Sequence, residues 1–297
     1  MELNLYEWIR GRRHYLPETK VKYYMYQLFK SLDHMHRNGI FHRDIKPENV
    51  LINEEVLKLA DFGSCRGIYS KQPYTEYIST RWYRPPECLL TDGYYNYKMD
   101  IWGAGCVFFE VLALFPLFPG NNELDQVHKI HNVLGTPSKE LLMEYQQKAS
   151  HMDFNFPSKD GTGIDKLIPH VSALARDLIT KLLTYKHDDR ISARKALKHP
   201  YFKDLREMDK PSKVTTLRTP DADSAAGEES KQSEPQLPPI KGHFTRKKQE
   251  LRLKNNPSNK SISIDHRTNY SNKKISNDTR KHYVSPHRKN LFKNHFN

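Results

Sequence analysis

The densest set of reactive side chains lies in one stretch, His42-Arg43-Asp44-Ile45-Lys46-Pro47-Glu48-Asn49. A second set, Asp61-Phe62-Gly63, begins twelve residues after Asn49. Together they offer a carboxylate that can take a proton, an ammonium that can act as a point charge, and oxygens hard enough for a small divalent cation. That mixture suits a reaction governed by positioning and charge neutralisation. Taken alone each string is short. An isolated Asp-x-Lys reads better as two surface charges pairing in a turn.

Elements on both sides must hold these residues in place. Residues 3–10 and 17–37 read as helices, the second with Val21, Tyr24, Leu28, Leu32 and Met35 at steps of three and four and Gly39 just past its end. Val50-Leu51-Ile52 and Val56-Leu57-Lys58-Leu59, separated by Asn53-Glu54-Glu55, read as a β-hairpin. From Asp61 to Glu87 the chain is irregular and rich in Gly, Ser, Thr, Tyr and Pro. Helical pattern resumes at 98–112, 123–133, 140–147, 172–183 and 193–198. The apolar run from Ile101 to Phe118, interrupted by Glu110 and Pro116, reads as a buried core helix rather than a membrane span.

The two strings, the hairpin between them, and Pro86-Glu87 and Asp100-Ile101-Trp102-Gly103 downstream stand in a specific order. In that order they resemble the C-terminal lobe of a eukaryotic protein kinase over residues 1 to about 202. Thr75-Glu76-Tyr77, followed by Thr80-Arg81-Trp82-Tyr83-Arg84-Pro85-Pro86-Glu87, resembles the mitogen-activated kinases and their relatives in the CMGC group. The resemblance implies a mainly α fold of the α+β kind and transfer of phosphate from ATP, with Mg²⁺, to protein Ser or Thr. It implies that Asp44 orients or deprotonates the substrate hydroxyl and that Lys46 reaches the γ-phosphate. Asn49 and Asp61 would then ligate Mg²⁺, and Leu51 would floor the adenine pocket. Thr80 would bond near Asp44 and Lys46, Phe62 of the Asp-Phe-Gly string would stack on His42, Glu87 would pair with Arg190, and Asp100 would hold the catalytic-loop backbone. A phosphate on Thr75 or Tyr77 would add about −1.5 to −2 charges and order the segment by engaging Arg43, Arg66, Arg81 and Arg84.

Charge is distributed unevenly. The 297 residues carry a formal charge of +13. Residues 1–240 hold 33 basic and 32 acidic side chains, whereas 241–297 hold 15 and 3. No basic field therefore drives the folded part. Residues 203–240, with Pro211, Pro220, Pro235, Pro238 and Pro239, read as a linker, and 241–297 as a disordered basic tail. A basic run of that kind more often serves as a solvated tail or an address such as Arg246-Lys247-Lys248 than as a nucleic-acid platform. Cys65, Cys88 and Cys106 are odd in number and form no Cys-x-x-Cys pair, which argues against a disulfide framework or structural zinc and for a reducing compartment.

No Gly-x-Gly-x-x-Gly and no Val-Ala-Ile-Lys precede the catalytic loop, so the expectation is a kinase chain without its N-lobe. Two functions then compete: a Ser/Thr kinase in truncated form, and a non-catalytic interaction piece derived from one. Nucleic-acid binding ranks last. By resemblance the partners are proteins with Ser-Pro or Thr-Pro sites and an upstream activating kinase. The expected setting is a monomer in cytoplasm and nucleus, with the cilium as a further family location and no membrane attachment.

Overall fold

A computed structural model describes residues 3–75, 80–150 and 152–209. The linker beyond Asp209 and the basic tail lie outside the described residues. So do Tyr77, Thr219-Pro220 and Ser285-Pro286.

The chain opens with β1 (Leu3–Asn4) and α1 (Leu5–Ile9). Of the stretch 3–10 expected as helix, only Leu5–Ile9 is helical. Asn4 explains the break, because it is both the last strand residue and the helix cap. Its side chain accepts from Glu7 N at 2.8 Å while its own N–H donates to Glu7 at 3.1 Å. β1 pairs antiparallel with β3 (Val50–Asn53), Leu3 opposite Ile52, and β3 pairs with β4 (Val56–Leu59). Two residues, Glu54-Glu55, turn this hairpin, one fewer than the sequence suggested. Glu54 has φ 48°, unusual for a residue with a Cβ. The next helix, α2 (Glu18–Arg37), holds the turn: Tyr24 Oη donates to Glu54 O, Gln27 Nε2 to Glu55 O at 2.7 Å, and Gln27 Oε1 accepts from Leu57 N at 2.9 Å. Its other face buries Val21, Met25, Leu28, Phe29 and Leu32.

β2 (Ile40–Phe41) leads into the catalytic loop and pairs with β5 (Arg66–Gly67), Phe41 opposite Arg66. Past this ribbon come α3 (Pro86–Leu89) and α4 (Lys98–Ala113). From Met99 to Ala113 every residue of α4 is buried, which makes it the axis of the domain. No helix among the described residues is long and apolar enough to cross a membrane. Around α4 lie α2 and α7 (Ala173–Leu182), with α5 (Glu123–Leu134) against α3. α6 (Lys139–Gln146) and α8 (Ala193–Leu197) follow the pattern read from the sequence.

The expected linker does not begin at 203. Residues Lys203–Met208 form a last helix, α9, pinned to α2 by Lys22–Asp204 at 2.7 Å and Lys30–Asp209 at 2.9 Å. Arg206 Nη1 donates to Leu197 O and His199 O. Those contacts are polar, so no apolar periodicity announced them.

Candidate active site

Asp100, on the first turn of α4 and 1 % exposed, organises the catalytic loop. Its Oδ2 accepts from His42 N and its Oδ1 from Arg43 N, both at 2.8 Å. His36, near the end of α2, meets Oδ2 at 2.8 Å. Two consecutive N–H groups can converge on one carboxylate here because Arg43 takes a left-handed φ of 71°. His42 carries the geometry onward. Its Nε2 donates to Ala60 O at 2.9 Å, which leaves Nδ1 to accept from Asp44 N at 3.3 Å.

Asp44 is thus held by its backbone, and its side chain is held as well. Oδ2 accepts from Lys46 Nζ at 2.8 Å and from Asn49 Nδ2 at 2.9 Å, and Asn49 Nδ2 also donates to Asp44 O. Oδ1 is buried and has no hydrogen-bond partner among the described residues. An unpaired buried carboxylate oxygen is costly, and it leaves one acceptor of Asp44 uncommitted. The single 3-10 turn Pro47–Asn49 gives Asn49 its position, and α1 packs on that turn.

The amide nitrogen of Asn49 is committed to Asp44, so its oxygen is the atom left for a cation. Asp61 is exposed, at φ 63°. Two oxygen donors make no closed cage, and no cluster of three or more His, Cys, Asp or Glu among the described residues could hold a metal ion. Such a donor pair fits Mg²⁺, which keeps waters and shares its shell with nucleotide phosphates. Leu51, half-buried on β3, alternates with the buried Val50 and Ile52. Phe62 is 56 % exposed and meets the His42 ring at 5.5 Å with a 59° tilt, so the expected stacking is a tilted contact. Gly63 sits beside it in the 3-10 turn Phe62–Ser64.

The four arginines expected around a phosphate fall into two pairs. Arg43, 3 % exposed, donates to Ser64 O at 2.6 Å and Tyr95 Oη at 3.0 Å, and Arg66 lies exposed on the neighbouring β5. Arg81 instead meets the loop before α5, at Asn121 O (3.5 Å), and Arg84 meets the first residue of α5, Glu123 (3.5 Å). Thr80 immediately precedes their 3-10 turn, Arg81–Tyr83. Thr75 is exposed, and its carbonyl accepts from Tyr95 Oη at 2.7 Å. Tyr95 therefore joins Arg43 to the Thr75 backbone, and burial pushes its hydroxyl up to about 12. Neither Tyr95 nor His36 carried a signal in the sequence, since each acts through a partner more than fifty residues away. Tyr83 Oη donates to the buried Glu110 at 2.7 Å, and burial with that carboxylate raises its pKa well above the ordinary value.

Residues 1–202 match the protein kinase domain, and the chain belongs to that family. It is similar to the MAPK/MAK/MRK overlapping kinases of Homo sapiens (60 % identical over 210 residues, 71 % of this chain and 50 % of the relative) and Mus musculus (62 % over 202 residues, 68 % and 48 %). It is also similar to the serine/threonine-protein kinase MAK of Rattus norvegicus (44 % over 203 residues, 68 % and 33 %). The chain spans about half the length, or less, of these curated relatives.

Proposed function

We propose that this chain carries the phosphoacceptor side of a MAPK-like serine/threonine kinase, transferring phosphate from ATP to protein Ser or Thr. The observation that carries the reading is Asp44, whose Oδ2 is fixed by Lys46 and Asn49 while Oδ1 is buried and unpaired. A Ser or Thr hydroxyl meeting Oδ1 would be oriented and relieved of its proton as the new P–O bond forms. Lys46 would sit beside both the carboxylate and the transferred group, offsetting charge as it shifts between them. Asn49 and Asp61 would hold Mg²⁺, which supplies neutralisation of the phosphate charge when bound. Preference for Ser-Pro and Thr-Pro sites, activation by an upstream kinase through Thr75 and Tyr77, a monomeric state, and a place in cytoplasm, nucleus or cilium complete the proposal, on family resemblance.

The test is transfer of labelled phosphate from Mg-ATP to paired Ser-Pro and Ser-Ala peptides. Transfer favouring Ser-Pro and lost in Asp44→Asn is expected. A second reading, a non-catalytic interaction piece, draws support from the exposure of Phe62 beside Leu3 (43 %) and Val56 (48 %) elsewhere on the surface. No transfer, with no rise in melting temperature on adding Mg-ATP, would favour that second reading.

A further inference from the structure

The loop between α1 and α2 carries cations that no carboxylate among the described residues answers. Arg10, Arg12, Arg13 and His14 are all exposed, and Lys20 follows on the first turn of α2. Some surface cations, among them Lys22, Lys30, Arg37, Lys148, Arg176 and Lys181, meet carboxylates within 3.1 Å, while others such as Lys58, Lys166 and Lys195 do not. Among the described residues no carboxylate pairs with Arg10, Arg12, Arg13 or Lys20, and these stand together within one loop and the helix turn that follows it. The acidic residues of the two flanking helices are committed elsewhere: Glu7 caps α1 through Asn4 N, and Glu18 accepts from Ser172 N at 2.9 Å and Ser172 Oγ at 2.5 Å.

Three of them, Arg10, Arg12 and Lys20, are also held in place. Arg12 Nε donates to Trp8 O at 2.6 Å, and its guanidinium carbon lies 5.4 Å from the Trp8 ring centre. Lys20 Nζ approaches the same ring at 5.8 Å and Tyr24 at 6.0 Å, while Arg10 lies 5.9 Å from Tyr6. Two like charges therefore share one indole with no anion between them. Side chains ordered before a ligand arrives lose little freedom when it binds.

We propose that Arg10, Arg12, Arg13, His14 and Lys20 form a docking surface for a stretch of Asp and Glu in a protein partner. Size and chemistry favour a peptide. The four cations Arg10, Arg12, Arg13 and Lys20, with His14 among them, lie within eleven residues, enough for a short acidic segment and too few for the long stripe that tracks a nucleic-acid backbone. Few aromatic faces are open for a base to stack on: Trp8 and Tyr24 are buried, and one face of the exposed Tyr15 is taken by His170, centroids 3.6 Å apart at 11°. The location also suits a substrate or its carrier. α1 packs on the turn Pro47–Asn49 that positions Asn49, so the loop leaves from the far end of a five-residue helix resting on the catalytic loop.

The experiment uses the full chain and the peptide Glu-Asp-Glu-Glu-Asp-Glu carrying a terminal benzophenone, with cross-links mapped by mass spectrometry. Cross-links are expected within residues 6–20 and should fall roughly tenfold in Arg10→Glu/Arg13→Glu, whose side chains make no hydrogen bond in the fold. An unchanged melting temperature shows that this variant is folded, and Arg13→Gln, with a smaller loss, serves if it is not. Cross-links confined to residues 241–297, or insensitive to both variants, overturn the proposal. So does stronger displacement of the peptide by a single-stranded oligonucleotide or by phosphatidylserine vesicles.

Discussion

Glu87 and Arg190 lie 103 residues apart in the chain and form a two-pronged ion pair from which water is excluded. Both side chains have no exposure, and the contacts are 2.7 Å and 2.9 Å. Arg190 has no idle donor. Nε reaches Thr184 O, Nη1 also reaches Lys98 O, and Nη2 also reaches Tyr185 O, which uses all five N–H groups. Its guanidinium also lies 5.1 Å from the Trp102 ring. The pair therefore ties α3 to α4 and the chain before α8. Removing one partner strands a buried charge, so Glu87→Gln and Arg190→Met should each cost about 3–5 kcal/mol in denaturant unfolding. The double variant should cost less than the sum. Additive losses would show that the two side chains are not coupled.

Some of this was open to sequence reading, and the reason is local. Asp44, Lys46 and Asn49 converge within one loop, so their order in the chain nearly dictates their order in space. The helices of the α-rich part announced themselves by apolar spacing. Contacts made across the chain by polar side chains did not. His36 on Asp100, Tyr95 between Arg43 and Thr75, and α9 on α2 rest on single hydrogen bonds or ion pairs that leave no period behind.

Gly103 shows the same limit at a packing contact. A Cβ there would lie 3.0 Å from both Cβ and O of Ile45, directly between Asp44 and Lys46. Neither α4 nor the catalytic loop can yield easily, one being buried throughout and the other tied to Asp100. Gly103→Ala should destabilise by about 1–3 kcal/mol. Ile45→Ala placed alongside should recover little of the loss, because alanine keeps both the Cβ and the carbonyl oxygen that meet the new methyl. Equal stability of Gly103→Ala and wild type in urea titration would mean that the loop moves freely.

Tyr95→Phe removes the hydroxyl that accepts from Arg43 and donates to Thr75 O. A buried guanidinium then loses one partner, at a cost of about 1–3 kcal/mol. The more specific outcome is local. Amide exchange around Thr75 should speed up relative to α4, as read by hydrogen–deuterium exchange. Uniform change across both regions would count against Tyr95 as the link.

His131 of α5 predicts a pH response. It is 1 % exposed, and its Nε2 finds no partner. Burial first, then His128 and Lys159, lower its pKa from 6.5 to about 4. The folded state thus resists a proton that the unfolded chain takes up near 6.5. The corresponding stability is fully present above about pH 6.5 and is lost as pH falls to about 4, by up to roughly 3 kcal/mol. His131→Leu should flatten the acid side of the stability curve over that window. An unchanged slope would place the acid sensitivity elsewhere.

Asp44→Asn bears on the chemistry most directly because it preserves shape. The Asn oxygen can occupy the Oδ2 position and still accept from Lys46 and Asn49. The amide nitrogen then falls at the Oδ1 position, where a donor replaces the acceptor that faces the hydroxyl. Folding should be nearly unaffected, since no bond to Oδ1 is lost. Turnover in a phosphate-transferring form should fall by roughly 10²–10⁴-fold, the usual contribution of a general base. Single-turnover transfer measured beside the melting temperature separates the two effects. Transfer at the wild-type rate would remove Asp44 from the proton path, and a large drop in melting temperature would show that its carboxylate is structural instead.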